Sequence, residues 1–582
     1  MPHDVTALLF EDSRRLTGPN FWLGERGVIL DAALHSERAT AEIAAWRDRV
    51  AELTGPFGWR TEIAVRRDGS RAVLAFTAPL DALYTATLIN EWAWTLAATD
   101  GIARAAAMPP PDDEPLPVEL PQALERLHLL LAAEANPALV AMAERAAREN
   151  VPFLSDDELV TVGYGARSET WPARAVPSPD AVEWKARETI PVALVTGSNG
   201  KTTTTRLVAA MLAKAGHTVG FCCSDGVFVA GEQIESGDWS GPGGARLVLR
   251  NTRVTAAVLE TARGGLLRRG LAVPYASAAI VTNIAEDHFG GYGIRSLADL
   301  AAVKLCAANA LASSGTLVLN SDDETLRMVA RNDDEAGGGV IDSATSRREA
   351  RTVRDHAGHV NNIEWFSAGK LPDWMPLVSE MPITRGGAAA YNVANAIGAA
   401  HVARALGVAS TAIEMTLREF GTDNADNPGR LERFDVKGVQ VWIDYAHNPH
   451  GLAALLTAAR AEKGAARMGL LLGQAGDRDD DAIRALARTA WDARPERIVL
   501  KDLDGYSRGR APGEVPALLR NELLIAGAPA DTLEIVPDEV AGVRALIDWS
   551  RAGDLLVLPV HALEARAATI ALIDRLGGAV QS

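Results

Sequence analysis

An α/β fold is predicted for this chain of 582 residues on three observations. The first is a buried strand, a Gly-rich turn and a helical pattern run together in "VALVTGSNGKTTTTRLVAAML". The second is a series of short all-apolar runs from about residue 190 onward, "PVALVTG", "VTAAVLE", "SAAIVTN" and "GTLVLN", with helical patterns between several of them. Such runs signal a largely parallel sheet covered on both faces. The third is another strand–helix series from about residue 430, "VQVWIDYAHNP", "RMGLLLGQ", "RIVLKD" and "DLLVLPV", which predicts a second, smaller α/β domain.

Taken in chain order, residues 1–107 mix short strands ("AVLAFTA") with helical patterns ("ALYTATLINEWAWTLAATDGIARAAA") and are expected to form an α+β domain. "MPPPDDEPLPVELP" carries too many prolines for a helix and reads as a linker. A helical pair ("QALERLHLLLAAE", "NPALVAMAERAAREN") and a strand-like "ELVTVGYG" follow, and "WPARAVPSPDAVEWKARETIP" reads as a second linker. The expected divisions are therefore 1–107, a connecting segment 108–189, a central domain 190–427 and a C-terminal domain 428–582.

The chain is 48% hydrophobic and 23% charged, with 58 basic and 75 acidic residues, a net charge of −17 and a pI near 5.2. An acidic surface argues against nucleic acid or an anionic membrane as the main partner. Three cysteines, Cys222, Cys223 and Cys306, are too few for a disulfide framework and lack metal-type spacing, so reduced thiols are expected. "MPHDVTALLFEDSRR" has no basic region followed by a long apolar run, and no apolar stretch reaches the length of a bilayer span. A soluble cytoplasmic protein, assembled as a homo-oligomer, is the expectation.

The Gly-rich turn carries the chemistry. A standard P-loop reads G-x-x-x-x-G-K-[ST], yet Val195 stands where its first glycine belongs, and Gly197 lies only three residues before Gly200. Glycines let backbone N–H groups approach phosphate oxygens, and the positive end of the following helix adds to the attraction. Lys201 is placed to reach the β/γ-phosphates and the Thr202 hydroxyl to join a Mg²⁺ shell. Two later strands end in polar residues, "VTAAVLE" in Glu260 and "AAIVTNIAEDH" in Asn283, Asp287 and His288. Ligands sit beyond the carboxyl ends of strands in parallel α/β sheets, so Glu260 and His288 are candidate ligands for Mg²⁺ bound to ATP.

Six motifs, "GSNGKTTTTR", "DGVFVAGEQIESGDWSGPGGA", "LETARGGLLRRGL", "TNIAEDHFG", "NPGRLERF" and "DYAHNPHG", resemble in order and spacing the Mur ligase family, most closely the Mur-ligase-like part of cyanophycin synthetases. The resemblance covers about 190–582 and accounts for Val195, because these ligases use G-[TS]-N-G-K-T. It implies a central Mur-type P-loop domain and a C-terminal Rossmann-like domain that bind ATP and Mg²⁺ between them. It also implies a carboxylate phosphorylated to an acyl phosphate and an amine that attacks it to form an amide. Gly197, Ser198, Asn199, Gly200, Lys201, Thr202 and Thr203 would hold the phosphates; Thr202, Glu260 and His288 would hold metal. Lys304 matches a lysine that some members carbamylate. Asn392 and Asn395 match an Asn-x-x-Asn associated with adenine, and Arg430 and Asp444 match residues expected at phosphate or ribose. His447 and Asn448 are expected to shape that loop.

The substrates implied are a small-molecule or peptide acid and an amine. Arg263, Arg508 and Arg510 are candidates for binding the acid, and Asp225 and Asp238 for reading a cationic amine. "RRLTGPNFW" resembles the opening of the cyanophycin synthetase N-domain, with "LINEW" where many such domains have a histidine-containing helix. "AERAARENVPFLSDDELVTVGYG" resembles the entry to that enzyme's ATP-grasp domain, a remnant within 108–189, because the chain then leads directly into the Mur-like part. The ATP-grasp half extends an aspartate backbone and the Mur-like half joins arginine to the aspartate side chain. A single-step ATP-dependent amide ligase is therefore expected. A catalytically silent ATP-binding partner of a separate synthetase and a plain NTPase or kinase stand as alternatives, as does a ligase working beside a separate ATP-grasp enzyme.

Overall fold

The computed structural model describes residues 9–580 except 36, 99–115, 118, 287–290, 336–359, 361, 464–465 and 504. Four strands, β1 (Phe10–Leu16), β2 (Gly27–Ala33), β3 (Ile63–Asp68) and β4 (Arg71–Thr77), form an antiparallel sheet in the order β1-β2-β4-β3. Alternation along β2 and β4 buries both faces. Val28, Leu30, Leu74 and Phe76 pack on the helices Ala39–Thr54 and Leu83–Ala98. Ile29, Val73 and Ala75 face the other way and join the core of the central domain. Asn90, from "LINEW", is buried in the first of these layers, where it accepts from the Trp46 indole at 2.9 Å and donates to the Leu74 carbonyl at 3.3 Å.

The "RRLTGPNFW" motif makes the joint between the two domains. Asn20 Oδ1 accepts from the N–H groups of Trp22 and Leu23, and its Nδ2 donates to the carbonyls of Gly18 and Glu25. The knot presents Trp22 Nε1 to the Leu267 carbonyl at 3.3 Å, while Thr17 N donates to Arg269 O and Leu271 N to Pro19 O. These contacts grip the last turn of the helix Arg263–Arg268, whose first residues line the cavity described below. Trp22→Phe should lower the first urea-unfolding transition by about 1 kcal/mol, since it strands a buried carbonyl.

The connecting segment holds more order than the sequence suggests. The helix Leu120–Glu134 inserts Ala123 and Leu127 into the N-terminal core. The helix Pro137–Arg148 packs on a three-stranded antiparallel sheet, β5 (Phe153–Ser155), β6 (Leu159–Val162) and β7 (Glu169–Pro172), around Met142, Val160 and Val162. Trp171 and Pro172, read as the start of a linker, end β7 instead, and three short helical turns then lead to Val192.

The central sheet has eight strands: β8 (Val192–Thr196), β9 (Val219–Cys223), β10 (Gly226–Val229), β11 (Glu232–Ser236), β12 (Ala256–Glu260), β13 (Ala276–Val281), β14 (Leu311–Asn320) and β15 (Asn362–Phe366). Their order is β11-β10-β9-β12-β8-β13-β14-β15. From β9 to β15 all pairings are parallel, as predicted, but β10 and β11 fold back antiparallel, because tight turns after Cys223 and Val229 reverse the chain. The C-terminal sheet contains β16 (Glu432–Val436), β17 (Val439–Asp444), β18 (Met468–Leu472), β19 (Arg497–Lys501), β20 (Leu533–Val536), β21 (Leu555–Pro559) and β22 (Ala579–Val580) in the order β20-β19-β18-β21-β17-β16-β22. Only β16 and β22 are antiparallel to their neighbours. Cys222, Cys223 and Cys306 are buried and form no disulfide among the described residues. No helix among the described residues is long and apolar enough to cross a membrane.

Candidate active site

Val195 lies inside the central sheet, paired with Glu260 on one side and Ile280 on the other, so the phosphate-type turn can begin only after Thr196. Both glycines of the turn are sterically required. Gly197 has φ +145°, and a Cβ there would stand 1.8 Å from Thr282 Oγ1. Gly200 has φ +80°, and a Cβ there would stand 2.2 Å from Asn395 Oδ1. The turn is held from outside: Ser198 N donates to Asn283 O at 2.9 Å, Asn199 N to Asn283 Oδ1 at 3.0 Å, Ser198 Oγ to Ala285 O at 2.9 Å, and Lys304 Nζ to Gly197 O at 2.7 Å. Lys304 is thus a buried neighbour of the turn.

The helix Lys201–Lys214 starts at Gly200 with no side chain capping it. The N–H groups of its first turn have no partner within the helix, and its dipole places positive potential at that end. Lys201 Nζ folds back on Ser198 O at 3.2 Å. Thr202 Oγ1 donates to Glu260 Oε2 at 2.8 Å and lies 3.1 Å from Ser224 Oγ, which accepts from Arg430 Nη2 at 3.0 Å. Glu260 ends β12 almost without exposure; burial pushes its carboxyl up, and the Lys201 charge works against that. A hydroxyl and a carboxylate oxygen side by side are the hard donors that Mg²⁺ takes.

The C-terminal domain supplies the opposite wall. Asp444 ends β17 and accepts from the N–H groups of Leu431 at 2.9 Å and Ala446 at 2.8 Å; burial raises its carboxyl against the nearby Arg430. The Arg430 guanidinium stacks 4.3 Å from the centre of the Tyr445 ring. Asn395 Nδ2 donates to Asn392 Oδ1 at 3.1 Å, and Asn392 Nδ2 to Ile383 O at 3.1 Å. Asn199 Oδ1 accepts from Asn448 Nδ2 at 2.9 Å, and its amide nitrogen lies 3.1 Å from His450 Nδ1, so the turn itself touches the other domain. Gly197–Thr203, Glu260, Lys304, Asn392, Asn395, Arg430 and Asp444 all line one cavity of about 820 Å³ between the domains. An uncapped helix start, glycines that admit no Cβ, a lysine and an oxygen pair fit a nucleotide triphosphate with Mg²⁺.

Of the substrate candidates, Asp238 and Arg263 line the same cavity; Asp238 Oδ1 accepts from Ser240 N and Oγ. The other three do not line it. Asp225 is buried 3.1 Å from Arg206 and 3.6 Å from Arg566, so its charge is already engaged. Arg510 pairs with Asp480 at 2.9 Å and Glu514 at 2.8 Å, and Arg508 is exposed beside Tyr506. Neither Arg508 nor Arg510 lines the cavity. His288 and Asp287 lie outside the described residues. Ser224, which links Thr202 to Arg430, escaped the sequence reading because no spacing connects a serine after β9 to an arginine at the start of the next domain.

Two adjoining family matches decide the relationship: the Mur ligase middle domain over residues 195–403 and the Mur ligase, glutamate ligase domain over residues 429–559. Residues 195–559 belong to the Mur ligase family. Among curated relatives, this chain is 33% identical to cyanophycin synthetase of Geminocystis herdmanii over 63% of the chain and 42% of that protein. It is 28% identical to the UDP-N-acetylmuramoyl-L-alanyl-D-glutamate–2,6-diaminopimelate ligase of Corynebacterium efficiens over 62% of the chain and 68% of that protein. The chain therefore spans well under half the length of the cyanophycin synthetases it matches. A solved bifunctional folylpolyglutamate synthase/dihydrofolate synthase from Yersinia pestis, complexed with AMPPNP and Mn ion, aligns with a TM-score of 0.44 at 15% identity over 66% of this chain and 89% of that one.

Proposed function

We propose that this Mur ligase is an ATP-dependent amide ligase that joins a carboxylate, through an acyl phosphate, to an amino acid or related amine. One observation carries the reading. The lysine, the uncapped helix start and the Thr202–Glu260 pair open into the same cavity as Arg430 and Asp444 of the second domain and the Asp238–Arg263 wall. Phosphate chain, nucleoside and acid thus have walls of fitting chemistry within one cavity.

ATP with Mg²⁺ supplies the phosphoryl group that turns the acid's oxygen into a leaving group. The chain's residues do the rest. Lys201 and the first-turn N–H groups hold the phosphates; Thr202 and Glu260 supply oxygens for the metal. Asn392 and Asn395 stand at the base and Asp444 at the ribose. The Arg263 guanidinium faces the acid, and Asp238 offers a carboxylate to the incoming amine. Closure of the two domains excludes water, which would otherwise hydrolyse the acyl phosphate.

The substrates we favour are an aspartate side-chain carboxylate and arginine, on the cyanophycin-synthetase-like motifs. Backbone extension by an ATP-grasp module is left out of the reading, since only short helical turns separate β7 from β8. The test is phosphate release by purified protein with Mg·ATP across a panel of acids and amines headed by aspartate-containing dipeptides plus arginine. Release that needs both partners, with an amide seen by mass spectrometry, supports a ligase. Release without an amine would instead indicate an NTPase or kinase, and ATP binding with no release from any pair a silent partner. Glu260→Gln keeps an oxygen for Thr202 but removes a charge, so the apparent Mg²⁺ affinity should weaken about tenfold in a metal titration of the same assay.

A further inference from the structure

We propose that Lys501, Glu539 and His561 form a buried relay that positions the nucleotide loop of the C-terminal domain, acting through a single hydrogen bond from His561 Nε2 to the Ala446 carbonyl. The inference rests on the ATP reading of the cavity and adds to it residues that do not line that cavity. Lys501 ends β19, a strand otherwise of apolar residues apart from its first, and is fully buried. An ammonium in such a place must have every N–H satisfied. It has three acceptors: the Glu539 carboxylate, the Pro559 carbonyl at 2.8 Å, and His561 Nδ1 at 3.2 Å.

Glu539, the first residue of the helix Glu539–Trp549, is equally enclosed. Besides the lysine, its carboxylate accepts from the N–H groups of His561 and Ala562, both at 2.9 Å. Charge and hydrogen bonds therefore close within the cluster except at one atom. An ammonium can only donate, so Nδ1 of His561 must be the acceptor, and the ring proton of the neutral imidazole sits on Nε2. Nε2 lies 3.1 Å from Ala446 O, which can only accept. Lys501 thus selects the tautomer, and the tautomer aims one N–H at the loop. Burial and then the Lys501 charge pull the imidazole down to about 4, against Glu539; His447 also faces it, so the ring remains neutral through the physiological range.

The loop so held carries the site. Asp444 precedes the bonded residue by two positions and takes the Ala446 N–H. Tyr445 packs its ring 5.4 Å from His561 and 5.5 Å from His447 while supporting Arg430 on its face. Releasing the Ala446 carbonyl lets Asp444 and the Arg430 support move together.

Two measurements test the relay. Nitrogen-15 spectra of the histidine side chains in the full native chain should show His561 as the Nε2–H tautomer at neutral pH, and Lys501→Met should remove that bias. Binding of Mg²⁺ with a fluorescent ATP analogue should weaken about tenfold in His561→Phe and recover to within about threefold of wild type in His561→Gln, whose amide restores a donor. An Nδ1–H tautomer in the native chain, or unchanged analogue affinity in a folded His561→Phe, overturns the proposal. If the wild-type chain binds no analogue, the ATP reading fails, and the tautomer measurement still decides the geometry of the relay.

Discussion

Lys201→Ala should lower ATP-dependent phosphate release on the order of a thousandfold while leaving the melting temperature close to that of the wild type. The size follows from removing the positive charge that would meet the transferring phosphoryl group in the cavity between the domains. Stability should be spared because the turn is held by other groups. Asn283 takes the N–H groups of Ser198 and Asn199, and Lys304 grips the Gly197 carbonyl. Lys201 itself contributes only a 3.2 Å contact to the Ser198 carbonyl of its own turn. Initial rates with an acid–amine pair, set beside a thermal melt of the same preparation, check both halves. A large drop in melting temperature would mean that the residue holds the turn rather than the phosphates.

Asp225→Ala should have the largest effect on stability, a loss of about 3–5 kcal/mol. Burial pushes this carboxyl up, but Arg430, Arg206 and Arg566 outweigh it and hold its pKa below the usual carboxylate range. Arg206 belongs to the helix Lys201–Lys214, Arg430 to the start of the C-terminal domain and Arg566 to the last helix among the described residues. Removing the anion leaves three cations facing one another across the domain boundary, beneath the stacked rings of Phe221 and Phe228 that Arg206 covers. Because the folded pKa is depressed, the contribution is complete above the unfolded value of about 4 and fades as pH falls through the folded one. Chemical denaturation at neutral pH should show the loss, with the C-terminal domain separating first. Only in strongly acidic solution, below the depressed folded pKa of Asp225, should the wild type and the variant converge.

Sequence reading went furthest where the chemistry is local. The strand, turn and helix around Gly197–Thr203 lie within one short stretch, and apolar periodicity plus glycine spacing describe them almost completely. The polar end of β12 was visible because Glu260 interrupts an apolar run at the end where parallel sheets bind ligands, whereas Asp444 at the end of β17 was reached only through the resemblance of its "DYAHNPHG" motif. Long-range pairing was not visible. Asp225, Arg508 and Arg510 carry charges that suit a substrate, and nothing in their neighbourhoods reveals that Arg206, Arg566 and Asp480 already meet two of them. Lys501 did leave a signal, a lysine closing an apolar strand, but its partners arrive from residues 38 and 60 positions away.

The sequence by itself determined the fold class, the two α/β series and the phosphate-type turn, because periodicity, glycine placement and helix starts are properties of neighbouring residues. Tertiary structure alone decided which charges are available. It closed Asp225 among arginines, set Ser224 between Thr202 and Arg430, and buried Lys501 against Glu539 and His561. It also welded the N-terminal Asn20–Trp22 knot to the helix after Glu260. The physical reason is desolvation: a charge or amide withdrawn from water must find its partner wherever packing brings one, and that partner's position along the chain is unconstrained.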